Sequence, residues 1–152
     1  MSIIHALGQN MSKLPDLLAQ YEKDLSSCSE NIAITGKTLE TTLKEQAAWC
    51  AFYGERAAEL GIILKYIEAE IKKVRGRLTA QYNENYNPAL SERMTDKYID
   101  REKEYLDIHE VSLEVQELLD KYKNLLDAFN RRGFALRDIT LCKINDIHKD
   151  TL

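Results

Sequence analysis

The sequence predicts an all-α fold: a long antiparallel helical hairpin with a short N-terminal helix before it, assembling into a homo-oligomer. Two apolar series with steps of three or four residues mark the two arms, and such spacing is that of one helix face. A chain of 152 residues with only two prolines, Pro15 and Pro88, leaves those arms few interruptions. That length predicts a single helical domain, residues 1–152, able to build a modest core.

Residues 1–35 are expected to hold the N-terminal helix and a connector. Leu14, Leu17, Leu18, Tyr21 and Leu25 form its apolar stripe, Ser12 is a candidate cap, and Pro15 suits the first turn. The first long helix is expected over 37–82. Its seam runs Leu39, Leu43, Ala47, Cys50, Gly54, Ala57, Gly61, Leu64, Ile67, Ile71, Val74, Leu78. At 1.5 Å per residue such a helix measures roughly 60 Å, so another helix must cover it. The small residues in the middle of the seam, Gly54 and Gly61 above all, suggest a close helix crossing, since each helical glycine costs about 1 kcal/mol against alanine.

An asparagine-rich stretch ending in Pro88 predicts a loop over 83–90. Ser91 then opens a second long helix, expected over 91–141, with Met94, Tyr98, Tyr105, Ile108, Val111, Val115, Leu118, Tyr122, Leu125 and Phe129 on its apolar series. Arg101 breaks that series, which predicts less burial in the early part. Residues 142–152 turn polar and are expected to fray.

Charge is the most informative feature. The run Lys72-Lys73-Val74-Arg75-Gly76-Arg77 packs four cations and no acid into six residues of a chain whose formal net charge is -4. A local excess of this kind reads as an anion-binding site, and the natural anion is a nucleic-acid backbone. Tyr82 lies just beyond it, where bases could stack while Lys72, Lys73, Arg75 and Arg77 hold phosphates. The plain alternative is a solvated helix end whose cations complement the C-terminal dipole. From Glu92 to Asp120 ten acids outnumber four cations, a surface that repels nucleic acid or meets a basic partner. From Lys121 to Lys143 six cations outnumber two acids, which adds Arg131 and Arg132 to the candidate phosphate contacts.

Other chemistry finds no support. Gly36-Lys37-Thr38 resembles the end of a phosphate-binding loop, but the glycine required five residues before the Gly-Lys pair is Asn31, so a turn and a helix start suffice. His5, His109 and His148 are far apart, and the Glu-x-x-His pattern of bundle metal sites would need an acid at Leu106. No nucleophile has a base and an orienter that sequence could pair. No catalytic residue, metal or cofactor is predicted. Cys28, Cys50 and Cys142 are odd in number and widely spaced, which reads as reduced thiols in an intracellular setting. No apolar stretch approaches a membrane span, and Met1-Ser2-Ile3-Ile4-His5 is unlike a signal peptide.

The stretch Leu126-Asp127-Ala128-Phe129-Asn130-Arg131-Arg132-Gly133-Phe134-Ala135-Leu136-Arg137-Asp138-Ile139 resembles the UvsY family of phage recombination mediators. The family's pattern there is Leu-Asp-Ala, three variable residues, Arg-Gly-Phe-Ala, an aliphatic, a cation and, one residue on, isoleucine. Trp49 early in the first long helix, and Arg77-Leu78 followed by Tyr82, agree in order, so the resemblance covers roughly residues 30 to 140. It implies single-stranded DNA binding, homo-oligomerisation, and help in loading a RecA-like recombinase onto DNA coated by a single-strand DNA-binding protein, in the host bacterial cytoplasm. The family's DNA-binding Lys-x-Arg-Leu element falls on Arg75-Gly76-Arg77-Leu78, with arginine in place of lysine at residue 75. The asparagine-rich loop and the longer N-terminus depart from the pattern.

The resemblance also implies that the C-terminal helix oligomerises. Leu118, Leu125, Phe129, Phe134, Leu136 and Ile139 make that segment apolar on more than one face, more than one hairpin partner can cover, and symmetric assembly usually closes such surface. Cover by the N-terminal helix is the plainer account. The rival function is a structural coiled-coil protein or adaptor of a phage, whose basic patch meets protein rather than DNA.

Overall fold

The computed structural model describes residues 13–85 and 91–149. Five helices make up the described chain: α1 Leu14–Ser26, α2 Cys28–Ile32, α3 Leu39–Asn85, α4 Glu92–Ile99 and α5 Lys103–Lys149. The all-α prediction holds, with no strand among the described residues.

Helix α1 starts with Pro15 in its first turn, has Asp16 there and Lys23 in its last turn, and so complements its own dipole. Lys13 occupies the cap without a side-chain hydrogen bond, and Ser12 lies outside the described residues. Leu14, Leu18 and Tyr21 are its buried face. The Gly36-Lys37-Thr38 triplet is a turn followed by a helix start. Gly36 has φ 80°, a conformation that favours glycine, and Thr38 Oγ1 accepts from the Thr41 N–H at 3.2 Å to cap α3.

Helix α3 departs from its expected seam. Thr42, Tyr53, Leu60, Ile63, Leu64, Ile67 and Leu78 are buried, while Leu43 and Ala47 are exposed. Over its first half the buried stripe therefore runs one position earlier than the small-residue seam. Tyr53 and Leu60 offer far more apolar area than Gly54 and Gly61, and burial of the larger side chains sets the rotation. Among the described residues the expected close crossing is absent. A Cβ added at Gly54 would lie 3.9 Å from the methyls of Leu126, an ordinary contact, and one at Gly61 would meet no described residue within 4 Å.

Three boundaries also move. Helix α3 continues to Asn85, through the first residues of the loop expected over 83–90; residues 86–90 lie outside the described residues. The second long helix is interrupted at Asp100–Glu102, where the Arg101 and Glu102 N–H groups bond three residues back, to the Tyr98 and Ile99 carbonyls. Ile99 is fully buried there while Arg101 is exposed, and the tight turn re-phases the helix around the misfit in the apolar series. Helix α5 then runs on to Lys149, through residues expected to fray, although the side chains from Leu141 to Asp146 are all exposed.

Of the described residues, 59–85 and 91–117 form one compact unit and 13–58 and 118–149 another. The first has an aliphatic core that includes Leu60, Ile63, Ile67, Ile99 and Val115. The second is built on aromatics: Tyr53 stacks on Phe129 with centroids 5.1 Å apart, and Tyr21 meets Tyr122 edge-on. Tyr122 also donates its hydroxyl to the Tyr21 carbonyl at 2.8 Å. No helix of the described residues is long and apolar enough to cross a membrane.

Candidate nucleic-acid interface

The basic run lies within the last four turns of α3, in the unit formed by residues 59–85 and 91–117. Lys72, Lys73, Arg75 and Arg77 are all exposed, because the buried positions Ile67 and Leu78 turn the opposite face inward. They are not equally available. Arg75 Nη2 bonds Asp96 Oδ1 of α4 at 2.7 Å, with the two side chains 47% and 43% exposed. Arg77 Nη2 pairs with Glu104 Oε1 of α5, and Lys73 with Glu70 one turn earlier. The hydrogen bond to Asp96 and the attraction behind it raise the Arg75 pKa above its ordinary value, and Glu70 does the same for Lys73. Lys72 makes no ion pair with a described residue and lines a shallow groove with Glu68, Ile71, Tyr105, His109 and Ser112.

The acidic stretch, expected to hold nucleic acid off or to offer itself to a basic partner, is thus brought against the basic run. Nothing in the sequence spacing signalled Asp96 or Glu104 as partners of Arg75 and Arg77. Tyr82 is half-buried. Its ring stacks on Tyr98 at 5.5 Å between centroids, and its hydroxyl donates to Glu102. A base reaching Tyr82 would find one face already covered.

Arg131 and Arg132, adjacent in sequence, separate completely. Arg131 is exposed. Arg132, expected among the phosphate contacts, is only 5% exposed, which removes it from the list. Its Nε donates to the Ile32 carbonyl at the end of α2 at 3.0 Å, its Nη1 donates to Gln46 Oε1, and its guanidinium lies 5.8 Å from the Phe129 ring centroid. Gln46 Nε2 in turn donates to the Phe129 carbonyl at 2.6 Å. Gly133 makes room for that approach, because a Cβ there would stand 3.2 Å from Gln46 Nε2. Arg132 and Gly133 of the C-terminal motif are therefore structural.

Nearby, Lys37 bonds Glu45 at 2.9 Å and holds that carboxyl below its ordinary range, so the lysine of the Gly-Lys-Thr triplet has an intramolecular partner. Among the oligomerisation candidates, Leu118, Phe129 and Leu136 are buried in the chain's own core, and Leu125 is half-buried. Phe134 at 62% and Ile139 at 37% are exposed, and Leu141 and Ile144 beyond them are exposed as well.

Compared with family models, with curated proteins and with solved structures, the chain matches none.

Proposed function

We propose that this protein is a non-enzymatic recombination mediator that binds single-stranded DNA and helps load a RecA-like recombinase onto DNA covered by a single-strand DNA-binding protein, in phage recombination, repair and replication. The observation that carries the reading is the cluster of exposed cations Lys72, Lys73, Arg75 and Arg77, with no acid among them in sequence. Three are held only by surface ion pairs, each worth at most about 1 kcal/mol, so phosphates can take the place of the carboxylates. The resemblance of residues 126–139 to the UvsY family supports the same reading. The pairing of Tyr82 with Glu102 and of Arg77 with Glu104 supports an antiparallel hairpin within this unit.

One protomer offers few phosphate contacts, so useful affinity requires several protomers on one strand. Phe134 and Ile139, with Leu141 and Ile144, are exposed apolar side chains of α5 that a homo-oligomer would cover, and in this reading the protein works in the bacterial cytoplasm. Arg131 is a secondary phosphate contact.

Replacing Arg75 and Arg77 together by alanine is expected to weaken binding of a labelled oligodeoxynucleotide and to flatten its salt dependence. For a single strand the slope of log K against log salt should fall by about 1.4, or 0.7 per lost contact, with the mass of the oligomer unchanged. An unchanged slope overturns the proposal. The rival reading, a structural protein or adaptor, is favoured by one observation: Arg75 and Arg77 already have carboxylate partners within the protomer. It predicts no saturable binding of the oligonucleotide at moderate salt.

A further inference from the structure

We infer that Asp96 and Glu104 occupy, in the free protein, the places that nucleic-acid phosphates take on Arg75 and Arg77, so that the chain carries its own competitor for the strand. The inference rests on the DNA-binding reading above and adds how that site is regulated. Two arginines two residues apart on α3 each direct Nη2 to a carboxylate oxygen, one from α4 and one from α5. The two carboxylates stand on opposite sides of the tight turn at Asp100–Glu102, so helices on both sides of that turn take part. The Arg75–Asp96 pair also borders a surface groove whose other walls are Thr79, Asn83, Glu92 and Thr95. A phosphate engaging Arg75 from this groove must displace Asp96 or sit close beside a like charge.

The chemical consequence is selectivity by valence. A single phosphate or a nucleotide gains too little from one exposed arginine to dislodge its carboxylate. A strand that presents successive phosphates to Arg75, Arg77 and Lys72 of several protomers displaces the carboxylates together, because its contacts add on one molecule. Exposed pairs of this kind are weak enough to be exchanged and strong enough to discriminate.

The experiment is fluorescence anisotropy with a labelled oligodeoxynucleotide on the full chain. It compares wild type, Asp96→Asn with Glu104→Gln, Asp107→Asn with Glu110→Gln, and Arg75→Ala with Arg77→Ala. The second pair changes net charge equally at exposed carboxylates of α5 with no cation partner among the described residues. Neutralising Asp96 and Glu104 should tighten binding by about tenfold, clearly more than the control pair. In an Arg75→Ala, Arg77→Ala background the same neutralisation should add nothing beyond the control. Equal tightening by the two carboxylate pairs, or none by Asp96→Asn with Glu104→Gln while the arginine variant loses binding, overturns this inference alone. Wild-type affinity in the arginine variant overturns the DNA-binding reading itself. Each carboxylate is also changed singly, so that a folding defect in one variant leaves the other to decide.

Discussion

In the unit formed by residues 13–58 and 118–149 an arginine sits in the core, whereas in the unit formed by 59–85 and 91–117 the arginines of the basic run stand at the surface on carboxylates. Arg132 at 5% exposure bonds a helix-end carbonyl and an amide, and its guanidinium lies 5.8 Å from the Phe129 ring centroid. Arg75 and Arg77 are about half exposed and bond carboxylates that water also reaches. The residue type is the same in both places. Desolvation separates them: a guanidinium withdrawn from water must keep every contact it has, while one in water exchanges partners at little cost.

The comparison is tested hardest by removing the buried arginine. Arg132→Ala leaves the Ile32 carbonyl and Gln46 Oε1 without their donor and opens a void beside Phe129, so it should cost about 3 kcal/mol of folding stability. Arg131→Ala, one residue earlier and exposed, should stay within about 0.5 kcal/mol. Urea unfolding at unchanged m-value measures both. Similar small losses at the two positions would mean that Arg132 is not structural.

Sequence reasoning could not see this division, because the partners of Arg132 lie 100 and 86 residues away. Arg131 and Arg132 look alike until the fold places one of them. The helices themselves were legible, since spacing of three and four is a local property. The rotation of α3 was not: two stripes one position apart both satisfy that spacing, and the winner depends on which side chains bury more area. The turn at Asp100–Glu102 left one trace in the sequence, Arg101 where an apolar residue was due. The pairing of Arg75 with Asp96 left none, since it depends on how α3 and α4 approach. The surplus of apolar residues in α5 was visible, but its division between the core, with Leu118, Phe129 and Leu136, and the surface, with Phe134 and Ile139, needed the structure.

A smaller effect comes from the tyrosines of the same core. Burial raises the Tyr122 pKa well above its ordinary value of 10.0, and burial raises that of Tyr53 as well. The unfolded chain therefore releases these protons first as pH rises, and the folded chain still holds them. Stability is fully present below the unfolded value, about 10, and is lost above it. Urea midpoints followed from neutral pH into the alkaline range should fall beyond that point. Tyr122→Phe should cost about 1 kcal/mol at neutral pH, through its lost bond to the Tyr21 carbonyl, and should make the alkaline fall shallower. An unaltered alkaline fall would detach the effect from this residue.

The smallest expected effects carry the sharpest contrast, because one substitution should act differently in the two units. Gly61 lies mid-helix with no described residue where a Cβ would stand, so Gly61→Ala removes backbone freedom from the unfolded chain and meets none of the described residues in the folded one. It should stabilise by about 0.5–1 kcal/mol. Gly133 is mid-helix too, but its Cβ would press on Gln46, whose amide bonds the Phe129 carbonyl and whose oxygen receives Arg132. To make room, Gln46 must loosen at least one of those bonds, and such a loss is as large as the propensity gain. Gly133→Ala should therefore give no stabilisation in the urea titration that registers a gain for Gly61→Ala. Equal gains at both positions would show that Gln46 yields freely, and the polar network around Arg132 would then be looser than its distances suggest.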